Sequence, residues 1–245
     1  MPCFYTPELK KDDRKITITG EEFHHITHVF RKKINNEILL TNGKGLLAKA
    51  KIENINKKDL KVLISEIKEE KQSTPTIAVA FPLLKNKHDS LIVEKLTELG
   101  VKDFFPIVTK RTVRQATKKI IEKFKKVAIS AIKQCDNAFL PKIHEVSSLK
   151  ELLEKIKSCD FQPVVALEIG KHDLLIKIAQ NYNEKPICII IGPEGGFNKN
   201  EIDLLLEKKV PTFTLGNHIL RAETAAISAV SQLLGYYLTN NSEYY

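Results

Sequence analysis

Four cysteines, Cys3, Cys135, Cys159 and Cys188, are scattered along 245 residues, and no two form a CxxC pair. That spacing excludes a disulfide framework and a tetrahedral zinc site as organising features, and it suits a reducing compartment. No apolar run approaches the roughly 18 residues of a membrane span, and the N-terminus lacks the apolar core of a signal peptide. The sequence therefore predicts a soluble, cytoplasmic protein without a membrane partner. Neither GxGxxG nor GxxxxGK occurs, so the strongest signals for dinucleotide and nucleoside-triphosphate binding are missing. Arginine is scarce as well: Arg14, Arg31, Arg111, Arg114 and Arg221 stand against 34 lysines. Where a point charge suffices this chain uses lysine, so each arginine is a candidate for gripping a carboxylate or phosphate in bidentate fashion.

What is present supports a folded chain of one or two domains, since 42% of the residues are hydrophobic and this length can bury a sizeable core. The formal charge of +9 says little alone in a chain rich in Lys, Asn and Ile, the residues of AT-rich codons. Its distribution says more. Residues 110–142 carry Lys110, Arg111, Arg114, Lys118, Lys119, Lys123, Lys125, Lys126, Lys133 and Lys142 against only Glu122 and Asp136, a net +8. Such a block can neutralise phosphates and release counterions, although a solvated helix face would look the same.

Along the chain, short strands are expected at 15–19, 37–41, 46–52 and 59–67, with Asn42-Gly43-Lys44-Gly45 as a hairpin turn, the spacing of a small β-barrel. Between the first two strands, Phe23, Ile26 and Phe30 recur at helical spacing, leaving His24, His28 and Arg31 on another side. His24, His25 and His28 lack the Cys or carboxylate partners of a metal site, so no metal is expected. The polar stretch 69–75 closes on Pro75 and sets a boundary between domains 1–72 and 73–245. Beyond it, strands and helices alternate. Strand 76–81 precedes a helix over 89–99 packed through Leu91, Ile92, Leu96 and Leu99 and stopped at Gly100. Strand 104–108 precedes an amphipathic helix over 117–134 whose outward face holds most of the lysines. Strands at 163–167, 187–191 and 212–215 then alternate with helices near 173–181, 199–208 and 223–238. This is the grammar of a parallel sheet covered on both faces, an α/β fold.

In such sheets ligands bind beyond the carboxyl ends of strands. One such end is Gly192-Pro193-Glu194-Gly195-Gly196-Phe197, where glycines permit positive φ and close approach of a ligand to backbone. Asn198 and Glu201 have the spacing of a reciprocal helix cap. The other is the run from Leu215 to Ala225, apolar at Leu215, Ile219 and Leu220 and ending on Arg221, Glu223 and Thr224. It can enclose an adenine, or simply be a helix entry in which Arg221 forms a local ion pair.

Together, GPEGGF and the following LGxxILRxETA closely resemble the RsmE branch of the SPOUT methyltransferases. His24, His28, Val29 and Arg31 resemble that family's H-x-x-x-H-V-x-R segment, residues 95–101 its K-x-T-E-L-G-V, and Arg111 a following arginine. The likeness runs over nearly the whole chain. Departures are Cys3, where the family opens M-x-R, and residues 133–137, where it shows E-Q-x-x-R. The resemblance implies an N-terminal PUA-like RNA-binding β-barrel and a C-terminal SPOUT α/β domain with a trefoil knot, working as a homodimer. It further implies S-adenosylmethionine held by Leu167, Gly192, Gly196, Leu215, Gly216, Ile219, Leu220 and Thr224. The implied reaction is methylation of N3 of a uridine in small-subunit ribosomal RNA. A non-catalytic RNA-binding factor, or methylation of a different nucleotide, is the alternative.

For N3 chemistry the uridine must lose a proton. Arg221 or Arg31 could stabilise the anionic base, while Glu98 or Glu194 could accept the proton or orient the arginine. His24, His28, Arg31, Arg111, Arg114, Lys118, Lys119 and Lys123 are the candidate contacts to RNA, which is expected as part of an assembled subunit.

Overall fold

The computed structural model describes residues 1–72, 75–117, 119–167, 172–182 and 185–240. They form two compact units. Met1–Gln72 with Ile129–Leu140 make one, and Ser73–Ala128 with Pro141–Tyr245 make the other.

The first unit contains β1 (Cys3–Tyr5), β2 (Lys15–Thr19), α1 (Gly20–His24), a π turn (His25–Val29), β3 (Glu37–Thr41), β4 (Leu46–Ile55) and β5 (Asp59–Glu69). Its sheet runs in the order β1-β3-β4-β5-β2, antiparallel except where β1 lies alongside β3. On β4, Leu46, Ala48, Ala50 and Ile52 are buried while Lys49, Lys51 and Glu53 are exposed, the period of two that a half-covered strand requires. Register shifts at Lys49/Ala50 and Ile52/Asn54 bend this strand and curl the sheet around a core of Phe4, Ile18, Ile38, Leu40, Ile52, Leu60 and Val62. The expected strands are present, with β4 and β5 longer than their patterns suggested. β1 was not expected, because three residues are too few to show a period.

Phe23 and Ile26 point inward as their spacing predicts, but Phe30 is 52% exposed. The reason is the change from α to π after His24: the amide of Phe30 donates to the carbonyl of His25, five residues back, at 2.9 Å. That wider turn rotates Phe30 off the inner face. Its ring keeps an edge-on contact with Phe4 at 5.3 Å.

The turn 42–45 forms as expected, with Asn42 Oδ1 accepting from the amides of Lys44 (2.8 Å) and Leu46 (3.1 Å). Residues 138–140 lie directly on it: the Leu140 amide donates to Gly43 O (2.8 Å) and the Gly45 amide to Ala138 O (2.9 Å). A Cβ at Gly43 would stand 2.9 Å from Leu140 Cβ, so a side chain there would push the later segment away. Burial raises the Cys3 thiol to about 12, with the Asp136 carboxylate adding to the effect. Cys3 is therefore packing material and not a nucleophile.

In the second unit the strands are β6 (Ile77–Pro82), β7 (Asp103–Val108), β8 (Lys142–Ile143), β9 (Ser147–Ser148), β10 (Gln162–Ala166), β11 (Asp173–Leu174), β12 (Ile187–Ile190) and β13 (Thr212–Thr214). The helices are α2 (His88–Glu98), α3 (Ile120–Gln134, which runs on into the first unit), α4 (Leu149–Ser158), α5 (Leu175–Tyr182), α6 (Lys199–Glu207) and α7 (Ala222–Asn240). The sheet is parallel throughout, in the order β11-β13-β10-β12-β6-β7-β8, with β9 also on β7. Every residue of β6 and β12 is buried, the signature of a sheet covered by helices on both faces.

Helix α2 packs through Ile92, Val93 and Leu96, whereas Leu91, expected inside, is 37% exposed. Helix α4 was not expected. Its Ser148 and Glu151 cap one another reciprocally, and Leu149, Leu152, Leu153 and Ile156 are buried.

Candidate functional site

The site grows from the carboxyl ends of β10, β12 and β13. These strands are neighbours in the sheet, with β10 in the middle. After β12 the chain turns sharply: the Gly196 amide donates to Pro193 O at 2.8 Å, and Gly196 sits at φ +68°, a conformation that glycine adopts without strain. A Cβ at Gly192 would come within 3.0 Å of the Phe197 ring. That ring is buried in the main core beside Ile190, Val165 and Leu205, so Gly192 lets the loop fold back onto its own anchor. Asn198 and Glu201 then form the reciprocal cap their spacing predicted, at 2.9 and 2.8 Å.

After β13 a second loop leaves the sheet and enters α7. Thr214 Oγ1 donates to Gly216 O at 3.0 Å, and Gly216 has φ +142°. Ile219, on this loop, is 77% exposed.

The two loops enclose a cavity of about 620 Å³, floored by Ala166 and Leu167 at the end of β10. The size suits a small-molecule ligand, and the wall combines apolar side chains with bare glycine backbone. Leu167, Gly192, Gly196, Leu215, Gly216, Ile219 and Leu220 all line it, as do Arg221 and Glu194. Thr224 does not. It is exposed on the first turn of α7, and Ala222 and Ala225 face the cavity instead. Glu98 is likewise outside the wall, and its carboxylate holds Lys95 Nζ at 2.9 Å.

The local ion pair envisaged for Arg221 does not form with Glu223. Glu223 turns to His88, with Nδ1 and Oε1 2.7 Å apart. Arg111 and Arg114 are also committed within this unit. Arg111 lines the cavity and donates to Gly195 O at 2.5 Å and Phe197 O at 3.5 Å. Arg114 pairs with the fully buried Asp89 and donates to Leu84 O at 3.4 Å.

Of the other RNA candidates, Lys119 is exposed in the turn before α3 and Lys123 half-buried on α3, while Lys118 lies outside the described residues. His24, His28 and Arg31 are exposed on the first unit, where the two imidazoles stack at 4.7 Å. Thr27 Oγ1 donates to Phe23 O (2.8 Å) and lies 2.7 Å from His28 Nδ1.

The sequence reading missed Ala166, Ile191 and Phe213 in the cavity wall. Their signal is position alone: Ala166 ends β10, Ile191 is the first residue beyond β12, and Phe213 is the middle residue of the short β13. Arg111 as a wall residue had no local signal, since its partners lie more than eighty residues away.

A family model described as an RNA methyltransferase domain matches residues 70–234, and one described as an RNA methyltransferase PUA domain matches residues 18–65. The chain is 30% identical over 226 residues to the ribosomal RNA small subunit methyltransferase E of Bacillus subtilis (strain 168), covering 89% of this chain and 88% of that protein. It is 28% identical over 228 residues to the enzyme of the same name from Rickettsia conorii, covering 91% and 90%. A crystal structure of a ribosomal RNA small subunit methyltransferase E from Neisseria gonorrhoeae bound to S-adenosyl methionine superposes with a TM-score of 0.87 at 25% identity, covering 96% of this chain and 97% of that one. With a PUA-like sheet followed by a parallel α/β unit of the SPOUT type, the chain belongs to the RNA methyltransferase family.

Proposed function

We propose that this chain is an S-adenosylmethionine-dependent enzyme that methylates N3 of a specific uridine in 16S (small-subunit) ribosomal RNA, working in the cytoplasm as a homodimer on the assembled subunit. The observation that carries this reading is the cavity between the two loops, which brings seven of the eight expected cofactor contacts, all but Thr224, into one wall with Arg221 and Glu194. The relatives' names supply the substrate, and the Neisseria structure, crystallised with the cofactor, supplies its identity. The strand order, in which β12 lies between β10 and β6 and the chain then crosses β10 to reach β13, supports reading these crossovers as the trefoil knot.

The wall suits S-adenosylmethionine on its own chemistry. Leu167, Phe213, Leu215 and Leu220 offer an apolar slot for a purine, and the open glycine positions let polar groups of a ligand meet backbone. When bound, the cofactor supplies a methyl group on a sulfonium, already a strong electrophile. What remains for the protein is alignment and unmasking of the nucleophile. Arg221 would hold the uracil as an anion through its carbonyl oxygens, and Glu194 would accept the N3 proton or orient the guanidinium. Glu98, held by Lys95 outside the wall, would act only through α2. Ile219 and Leu220 would keep water from the reacting atoms. Arg31 is the alternative arginine, carried by the first unit with His24 and His28, which would contact RNA together with Lys118, Lys119 and Lys123.

The test is methylation by the purified full chain of small subunits from cells lacking the gene, followed by mass spectrometry of the RNA. One new 3-methyluridine per subunit is expected. A methyl group on another nucleotide would overturn the base assignment and leave the cofactor site. RNA binding without any S-adenosylmethionine binding would replace the enzyme with a non-catalytic RNA-binding factor.

A further inference from the structure

The segment Thr109–Arg114 lies between β7 and the basic face of α3, and charge alone places its arginines on RNA. Their contacts point elsewhere. The Thr109 amide donates to Thr112 Oγ1 at 2.9 Å, closing the segment on itself. The Lys110 amide donates to Glu201 Oε1 at 2.8 Å, and the other oxygen of that carboxylate accepts from the Asn198 amide at 2.8 Å. Glu201 thus caps α6 and clips the segment to it. Arg114 holds the buried Asp89 of α2. Between these anchors, the Nη1 of Arg111 donates to Gly195 O at 2.5 Å and to Phe197 O at 3.5 Å.

The glycines make that grip possible. At Gly195 a Cβ would stand 3.4 Å from Arg111 Cδ and 3.6 Å from its Cβ, so the arginine stem lies flush on bare backbone. Gly196, between the two gripped carbonyls, is at φ +68°, which turns the flanking peptide planes so that one nitrogen reaches both oxygens. A cationic donor to a carbonyl makes a stronger bond than a neutral one. Without it, the described contacts left to hold this three-residue stretch would be the Pro193–Gly196 turn bond and the buried Phe197 ring.

We infer that Arg111 is a positioning residue for the cofactor loop, fixing the backbone of residues 195–197 against the cavity, and that it is not primarily an RNA contact. This rests on the proposed cofactor reading of the cavity. A phosphate would have to draw the guanidinium away from both carbonyls, whereas Lys119 and Lys123 have no such commitment among the described contacts. Lysine is one bond shorter than arginine but carries a donor that can serve two carbonyls, so Arg111→Lys restores part of the grip and Arg111→Met none of it.

The experiment is titration calorimetry of S-adenosylmethionine with the full chain, paired with RNA binding at several salt concentrations, on wild type, Arg111→Met and Arg111→Lys. Arg111→Met is expected to raise the cofactor Kd about tenfold or more, with Arg111→Lys intermediate. RNA affinity should stay within about twofold, with the salt slope unchanged. Hydrogen exchange at 195–198 should quicken in the same order. Wild-type cofactor affinity in Arg111→Met, or a loss of RNA affinity larger than the loss of cofactor affinity, overturns the inference. If Arg111→Met does not fold, Arg111→Lys is read by the same criteria. A wild-type chain that binds no S-adenosylmethionine is a different failure, that of the cofactor reading itself.

Discussion

His88 Nδ1 and Glu223 Oε1 stand 2.7 Å apart, joining the first residue of α2 to the first turn of α7. The carboxylate side chain is only 11% exposed, so losing its partner strands a polar group that water reaches poorly. His88→Ala should therefore cost about 1–3 kcal/mol of stability. Because Glu223 follows Arg221 by two residues, turnover should fall further than cofactor affinity does. Thermal melting and single-turnover kinetics measure the two effects. An unchanged melting temperature with unchanged turnover would show that the contact holds nothing in place.

Arg221 lines the cavity and has no ion-pair partner among the described residues, which leaves its guanidinium available to a substrate. Arg221→Lys preserves the charge but not the planar fork. If the fork spans two uracil oxygens, kcat should drop at least about tenfold with cofactor affinity nearly unchanged. Kinetics like those of the wild type on assembled small subunits, at saturating cofactor, would shift the role to Arg31.

At Gly196 only Arg111 Nη1 lies within 4.0 Å of a hypothetical Cβ, so space alone would admit a side chain. The backbone would not, because φ is +68° and a β-branched residue is strained there. Gly196→Val should abolish measurable S-adenosylmethionine binding while Asn198 still caps α6. Full affinity in a folded variant would remove this loop from the cofactor site.

Lys119, Lys125 and Lys126 are exposed, Lys123 is half-buried and Lys133 is held by Glu22; phosphate is the proposed partner of the lysines about the start of α3. Reversing Lys118, Lys119 and Lys123 to glutamate should weaken RNA binding and flatten its salt dependence by roughly 0.7–0.9 in log–log slope per lost phosphate contact. Cofactor affinity should not change. An identical slope would make this an ordinary solvated face.

Part of the site is legible in the sequence: the glycine-rich loop 192–197 follows the wholly apolar strand β12, whereas the loop after β13 (Thr-Phe-Thr) is picked out only by its joint resemblance with the first. Asn198 and Glu201 announce their cap through spacing, and the buried runs 77–82 and 187–190 announce a sheet covered on both sides. Helix α4, not among the expected elements, still bears the signs of one in Ser148, Glu151 and the apolar residues between 149 and 156. Illegible are contacts between residues distant along the chain. Nothing near Arg111 points to Gly195, nothing near Arg114 to Asp89, and nothing near Glu223 to His88. In each case a charged side chain that reads as free in one dimension is engaged in three. Phe30 fails for another reason: a single π turn shifts the helical phase, and periodicity cannot register one wide turn.

Ile129–Leu140 belongs to the first unit, and its last residues, 138–140, lie on the turn at Gly43 and Gly45. That has a consequence in time. As the chain emerges from a ribosome, the curled sheet is fully synthesised at residue 72, but the segment that covers its turn arrives 68 residues later. At ordinary elongation rates this interval is about 3–14 s, long compared with the folding of a small sheet. Through that interval the turn's glycine backbone is exposed and Phe139 and Leu140 are not yet made. The amino-terminal unit therefore matures only after β6, α2, β7 and α3 have been translated, and the two units reach their final form in overlapping order.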